Sequence, residues 1–446
     1  MHKIANLDSL SIHTRYKSQI IYSSSIAVFL LLIYSNLLSL KKYIYGGSAI
    51  AIAISLFLAL GIFVLNASKS RLNITKIEAL WLGSLLFVIL NNNQDFYRGD
   101  LSWFIQYFVL VGVLILSKYS GRWLCAYKKF MIFFALLHSL CSIAFFYIPG
   151  LYTGFTVKLF ENEYVSSLIN WYRQGFATGL SLHYSQNGIY LAIATGVAFC
   201  TLMRAKKKTR KIIIFVILCT IALLMSGKRG PLIFSLLAVL LTYYAFSANK
   251  SLSRILKLVF VLFIGIFILY IIFNYVPAFS ATMERFLDLS GSDDITNGRS
   301  ELYLFAWQWF KEVPILGIGW GGYKYRINNT YLGLIYGNTS NMYAHNVYLQ
   351  LLCEAGVVGL VLFVSCIGLT MRKTYKMIVN SRKGKYIVDS DSGYYLMISL
   401  FVQIFFILYC LTGNPLYDYP ALFPYMLSCA VPFTVEYQNR RRLAGL

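Results

Sequence analysis

Residues 297–329 read NGRSELYLFAWQWFKEVPILGIGWGGYKYRINN, and residues 340–359 read SNMYAHNVYLQLLCEAGVVG. The first belongs to the longest polar interruption in an otherwise apolar chain. The second closes that interruption and sets His345 at the mouth of a hydrophobic run. A polar, aromatic-rich stretch that runs into a long apolar segment describes a loop returning to a membrane, and this decides the fold class.

Working outward, the 446 residues are 58% hydrophobic and only 13% charged, with a mean hydropathy of +0.63. That is too apolar for a soluble domain and fits an all-α polytopic membrane protein. The formal net charge of +23 would suit nucleic acid only if the basic residues formed one face of a soluble fold. They sit instead in short loops between apolar runs, so no nucleic-acid partner is expected. None of the eight cysteines pairs at metal-ligand spacing such as C-x-x-C, so neither a zinc site nor a disulfide framework is expected.

A helix needs about 20 residues to cross the hydrocarbon core. Apolar stretches near 19–40, 43–67, 77–92, 101–117, 130–149, 187–203, 212–226, 231–248, 255–278, 346–370, 394–412 and 416–435 predict about 12 transmembrane helices. With the N-terminus cytoplasmic, most of the 40 Lys and Arg residues fall in inside loops, as the positive-inside rule requires. Both termini are then cytoplasmic. The chain divides into helices one to nine over 1–278, a large outside loop over 279–344, and the last three helices with a basic tail over 345–446.

The outside segments hold the chemistry. Within the large loop, Leu302, Phe305, Ala306 and Trp309 recur at i, i+3, i+4, i+7 and predict an amphipathic helix. Pro314 ends it at or before Val313, and its apolar side is expected to lie along the membrane interface with Arg299 in its first turn. The run Gly317 to Gly322 lacks the Lys-Ser/Thr of a nucleotide loop and reads as a turn bending the loop back toward the membrane. Asp293-Asp294 is the one outside acidic pair, which is weak ground for a metal site.

Each candidate carries two readings. His345 is either an interfacial residue bonded to a neighbouring loop or a general base, since imidazole titrates near neutrality. Projected on a regular helix, Gly356 and Gly359 share its face and would admit a neighbouring helix or lipid chain. Glu354 points the other way; an acid at membrane depth is functional or structurally paired. Arg229, in the outside turn Ser226-Gly227-Lys228-Arg229-Gly230, suits either a phosphate group or lipid headgroups. Arg173, in Trp171-Tyr172-Arg173-Gln174-Gly175, is a lone loop arginine with a weak signal.

Taken together these residues resemble a known family. His345-Asn346, nine residues, then Gly356-Val357-Val358-Gly359 is similar to the closing signature of the large loop in the bacterial O-antigen ligase and O-antigen polymerase superfamily of inner-membrane glycosyltransferases. Arg299, Trp307 and Pro314-Ile315-Leu316-Gly317-Ile318-Gly319 resemble that loop's Arg…Trp…Pro-x-x-Gly-x-Gly pattern. Ser226 to Gly230 resembles the family's Ser-x-x-Arg-Gly turn, and Arg173-Gln174-Gly175 a looser upstream motif. The resemblance spans about 170 to 435.

It implies a GT-C-like helical enzyme of the bacterial inner membrane. Such an enzyme transfers a glycan from undecaprenyl diphosphate to an acceptor hydroxyl at the periplasmic face, inverting and without metal or cofactor. Arg173, Arg229 and Arg299 would bind the diphosphate, and His345 would be the catalytic base. Lipid-linked oligosaccharide or polysaccharide and membrane lipids are the implied partners, together with flippase and chain-length regulator proteins. Ligases often carry Arg-x-x-x-Leu where this chain has Tyr303, with leucine only at 304, so polymerase is placed ahead of ligase. A transporter or flippase for an anionic lipid would share the span count, but no internal repeat is evident.

Overall fold

The computed structural model describes residues 72–92, 98–121, 123–160, 162–205, 207–247, 299–335, 342–382 and 390–443, with isolated positions at Gly61, Val64, Ser253, Leu256 and Phe260. The expected span at 19–40, nearly all of those at 43–67 and 255–278, and the Asp293-Asp294 pair lie outside the described residues.

Helices dominate, as the apolar runs require. They are α1 (Lys76–Leu90), α2 (Arg98–Leu116), α3 (Trp123–Tyr147), α4 (Asn162–Arg173), α5 (Tyr184–Arg204) and α6 (Arg210–Met225). After these come α7 (Arg229–Phe246), α8 (Arg299–Glu312), α9 (Gly322–Asn328), α10 (Val347–Arg382), α11 (Ser390–Tyr409) and α12 (Tyr419–Leu443), with shorter turns left unlabelled. Among the described residues, α3, α5, α7, α10 and α11 are long and apolar enough to cross a membrane. Their surfaces keep large exposed hydrophobics such as Phe133, Ile233 and Val361, the pattern of helices that face lipid.

The buried core joins α1, α2, α3, α5, α10, α11 and α12 through residues such as Trp81, Tyr107, Leu191, Phe363, Phe401 and Tyr425. Small residues set the closest approaches: Gly196 of α5 lies against the ring of Phe401 in α11, the usual way apolar helices pack without a hydrophobic driving force. At the start of α1, Glu78 caps its own helix with Thr75. The same carboxylate is buried against Lys118 at 2.7 Å, so neither charge is left unpaired out of water.

Two expectations about the large loop are corrected. Helix α8 ends at Glu312, ahead of Pro314 as the sequence predicts, but its apolar stripe does not lie on a membrane. Ala306 and Trp309 are buried with Tyr323, Ile327, Ala344 and Cys353, and Leu302 and Phe305 pack beside them. Leu304 and Trp307 are the residues left exposed. Secondly, α10 is not a regular helix. At Gly356 its backbone turns to φ 62, ψ −167, so projecting Gly356 and Gly359 onto the face of His345 fails.

The loop itself fills the break. Cys353 and Glu354 carbonyls accept from Ile318 N at 2.9 Å and Gly319 N at 3.0 Å, while Val357 N and Val358 N donate to Pro314 O at 2.9 Å and Ile315 O at 3.2 Å. Gly317 and Gly356 both have positive φ, and a methyl group would collide with the backbone of Glu354 and Ala355 at the first and of Ile315 and Leu316 at the second. Pro-x-x-Gly-x-Gly and Gly-x-x-Gly, distant in sequence, are each other's hydrogen-bond partners. Glu354 finds its partner here too: it accepts from Tyr323 N, at the head of α9, and from Gln350 Nε2, both at 3.3 Å. An anion at a helix N-terminus is favourably placed.

Candidate active site

Five chain segments bring their ends together on one side of the bundle. The first is the head of α10. Asn346 caps this helix, its Oδ1 accepting from Tyr348 N at 3.0 Å and Leu349 N at 3.1 Å. Val347 N donates to Cys410 O at 2.9 Å and ties the helix start to the end of α11. His345 precedes the cap with φ 51, the one non-glycine positive φ among the described residues. Such a conformation costs about 1–3 kcal/mol and persists where its surroundings over-determine it.

The second segment is the turn between α11 and α12. Asn414 places its amide 3.3 Å from His345 Nδ1. Thr412 O accepts from Arg299 Nη1 at 3.1 Å, so the third segment, the head of α8, is pinned to the same turn. The fourth is the α6–α7 turn, where Gly227 adopts φ 66 and Lys228 is the residue preceding α7. The stem of Lys228 lies on Gly188 of α5, where a Cβ would meet its Cγ at 3.0 Å. Its ammonium sits 4.1 Å from the ring centre of Tyr184. The head of α5 is the fifth segment: Tyr184 stacks on Phe176 at 4.2 Å and on His183 at 4.4 Å.

The electrostatics follow from this gathering. Burial first, then the positive charges of Arg299 and Lys228, push the His345 imidazole down to about 4. Burial and then Lys228 do the same to His183. Burial and the charge of Arg299 bring Lys228 down to about 8. Asp418, at the end of the α11–α12 turn, is pushed up to about 7 by burial. The result is a neutral imidazole at neutral pH facing two cations that repel each other. An anion between them relieves that repulsion, and the neutral ring is free to accept a proton.

His345 and Arg299 are both held to the α11–α12 turn, through Asn414 and Thr412. Arg229 and Arg173 are placed differently. Arg229 is the first residue of α7, next to Lys228, and the charges that act on His345 are those of Arg299 and Lys228. Arg173 ends α4 exposed, on the segment that also carries Trp171, 4.5 Å from His183. Lys228, Asn414, Thr412 and Asp418 were not singled out from sequence. A signal for the last three existed: Gly413-Asn414-Pro415 is polar turn chemistry between two apolar runs.

Residues 214–364 match the family described as O-antigen ligase. The match supports the superfamily of O-antigen ligases and O-antigen polymerases. It covers the α6–α7 turn, α8, the loop that enters the break in α10, and His345 itself. Members of this superfamily are membrane glycosyltransferase-like enzymes, and the match supports an O-antigen ligase or polymerase type of function with lipid-linked polysaccharide substrates. A search of curated proteins found no match.

Proposed function

We propose that this chain is an O-antigen polymerase of the bacterial inner membrane. It transfers a glycan from undecaprenyl diphosphate onto a sugar hydroxyl of a lipid-linked repeat unit at the periplasmic face, with inversion and without metal. One observation carries the reading: a neutral imidazole held by strained backbone beside two cations from different segments.

The acceptor O–H gives its proton to His345 as its oxygen attacks the anomeric carbon. The bond from that carbon to the diphosphate oxygen breaks, and the electron pair leaves with the diphosphate. Lys228 and Arg299 stabilise the charge that develops there, and their mutual repulsion before the anion arrives means little reorganisation is needed. Arg229 and Arg173 are proposed to hold the outer part of the diphosphate or its sugar. The tautomer depends on Asn414: its Nδ2 faces His345 Nδ1 in the structure, and rotation of the amide so that Oδ1 accepts from Nδ1–H makes Nε2 the base. Repeat units would come from a flippase, and a chain-length regulator would act on the product.

The second reading, a ligase that moves finished polymer to lipid A-core, is favoured by the description of the matching family. Lipopolysaccharide banding of a deletion strain separates the two. Loss of polymer with one repeat unit left on the core marks a polymerase; polymer retained on its carrier lipid marks a ligase. Normal banding refutes both. His345→Ala and Arg299→Ala, each still inserted in the membrane, are expected to fail to complement.

A further inference from the structure

The segment 313–320, VPILGIGW, contains no charged side chain, and it meets α1 at its C-terminal end and α10 at the Gly356 break. Helix α1 has 15 residues, Lys76–Leu90, about 22 Å at 1.5 Å per residue. Measured from its inner basic end, it stops roughly 8 Å short of a hydrocarbon core of about 30 Å. The loop sits on that end: Asn91 O accepts from Trp320 N at 2.8 Å, and Asn91 Nδ2 donates to Leu316 O at 3.0 Å. On α10, the distance from Arg372 back to Gly356 is about 24 Å by the same rise. Two helices that differ in sequence and direction thus place the contact at similar depth, inside the core.

Lipid at that depth admits irregular backbone only if its polar groups are satisfied by protein. The carbonyls of residues 313–316 and the amides of residues 317–320 have such partners: besides the four bonds to the α10 break and the two to Asn91, Gly317 N donates to Val313 O at 2.9 Å. The side chains turned outward are apolar: Ile315 is 68% exposed, Leu316 50% and Leu90, at the adjoining end of α1, 85%. Val357, Val358 and Val361, just below the break in α10, are exposed as well. Water would make this an unfavourable surface; acyl chains would not.

We infer that residues 313–320 form a re-entrant segment whose tip, Ile315 and Leu316, lies in the hydrocarbon of the bilayer in contact with lipid acyl chains. The segment completes the short span of α1 and anchors the far end of α8, whose near end carries Arg299. The inference stands whether or not the chain transfers a glycan.

The test uses the full chain in phospholipid vesicles, with Cys125 and Cys141 replaced by serine and a nitroxide attached at Ile315→Cys. Collision of the label with oxygen is compared with collision with a water-soluble nickel chelate. The ratio is expected to match that of a label at Val361→Cys and to exceed severalfold that at Tyr331→Cys in the loop. A ratio equal to that at Tyr331→Cys overturns the inference. Should the labelled variants not fold, the unmodified protein is irradiated in vesicles whose acyl chains carry a diazirine. Adducts on the peptide holding Ile315 and Leu316 support the inference, and adducts on Val357 to Val361 without any on that peptide refute it.

Discussion

Replacing Gly356 with alanine tests the interlock of loop and helix at one atom. Two responses are open to the chain. It can keep the break, placing an L side chain at φ 62, ψ −167 for about 1–3 kcal/mol, and also relieve the collision of the new methyl with the Ile315 carbonyl. Alternatively α10 closes into a continuous helix. Val357 N and Val358 N then return to Cys353 O and Glu354 O, and the loop loses all four bonds that seat it. Two bonds are recovered for four broken, at about 0.5–1.5 kcal/mol each, and the loop backbone is left to find other partners. Either route predicts a loss of about 2–3 kcal/mol by these magnitudes. Thermal unfolding of the purified protein in detergent measures it, and limited proteolysis within 313–322 tells the routes apart, since only the second frees the loop. Gly368→Ala is the control: the same helix, with open space around a Cβ, where alanine is neutral or stabilising by up to about 1 kcal/mol. Equal unfolding temperatures and equal proteolysis for Gly356→Ala and the native chain would refute the reasoning.

Four further outcomes are expected. Lys228→Gln removes one of the charges that depress His345, so the imidazole pKa rises from about 4 and the acid limb of the transfer rate moves to higher pH; an unmoved limb disconnects the two residues. Asn414→Ala lowers transfer by up to about tenfold, the value of one neutral hydrogen bond, whereas Asn414→Asp keeps the acceptor, retains activity and raises the limb further. Stability should fall with acid: His345 and His183 are held near 4 when folded against about 6.5 unfolded. The unfolded chain therefore binds more protons as pH falls from 6.5 to 4, and the unfolding temperature drops across that window and levels below it, less steeply in a His183→Asn variant. Glu354→Ala strips Tyr323 N–H and the Gln350 amide of their acceptor and lowers stability by about 1–3 kcal/mol, read by thermal unfolding; an unchanged midpoint would deny Glu354 its seat at α9.

Much of this was legible because the forces involved are local. Apolar runs became helices since a membrane leaves the backbone no other way to satisfy itself, and Pro314 ended α8 through its own ring. The glycines from Gly317 to Gly322 made a turn, with Gly317, Gly319 and Gly321 all at positive φ. What stayed hidden depends on partners far away in the chain. Gly356-Val357-Val358-Gly359 reads as the small face of a helix until Pro314 to Gly319 is seen inside it. That the charge of Lys228, beside Arg229 in the same turn, acts on His345 depends on how distant segments meet, which the turn's own sequence does not state. The α8 stripe was correctly periodic, but periodicity does not say whether protein or lipid covers it.

The break in α10 also bears on the order of biogenesis. Residues 314–319 leave the ribosome before residues 353–358, yet the two can bond only after the later segment has entered the bilayer. A nascent segment with no partner satisfies its backbone as an unbroken helix, and the apolar run from Val347 onward is suited to enter that way. The break would then be opened afterwards by the returning loop, while α8 and Arg299 are drawn into place. Assembly of the site is thereby tied to completion of the membrane domain, so a partly inserted chain carries no formed site.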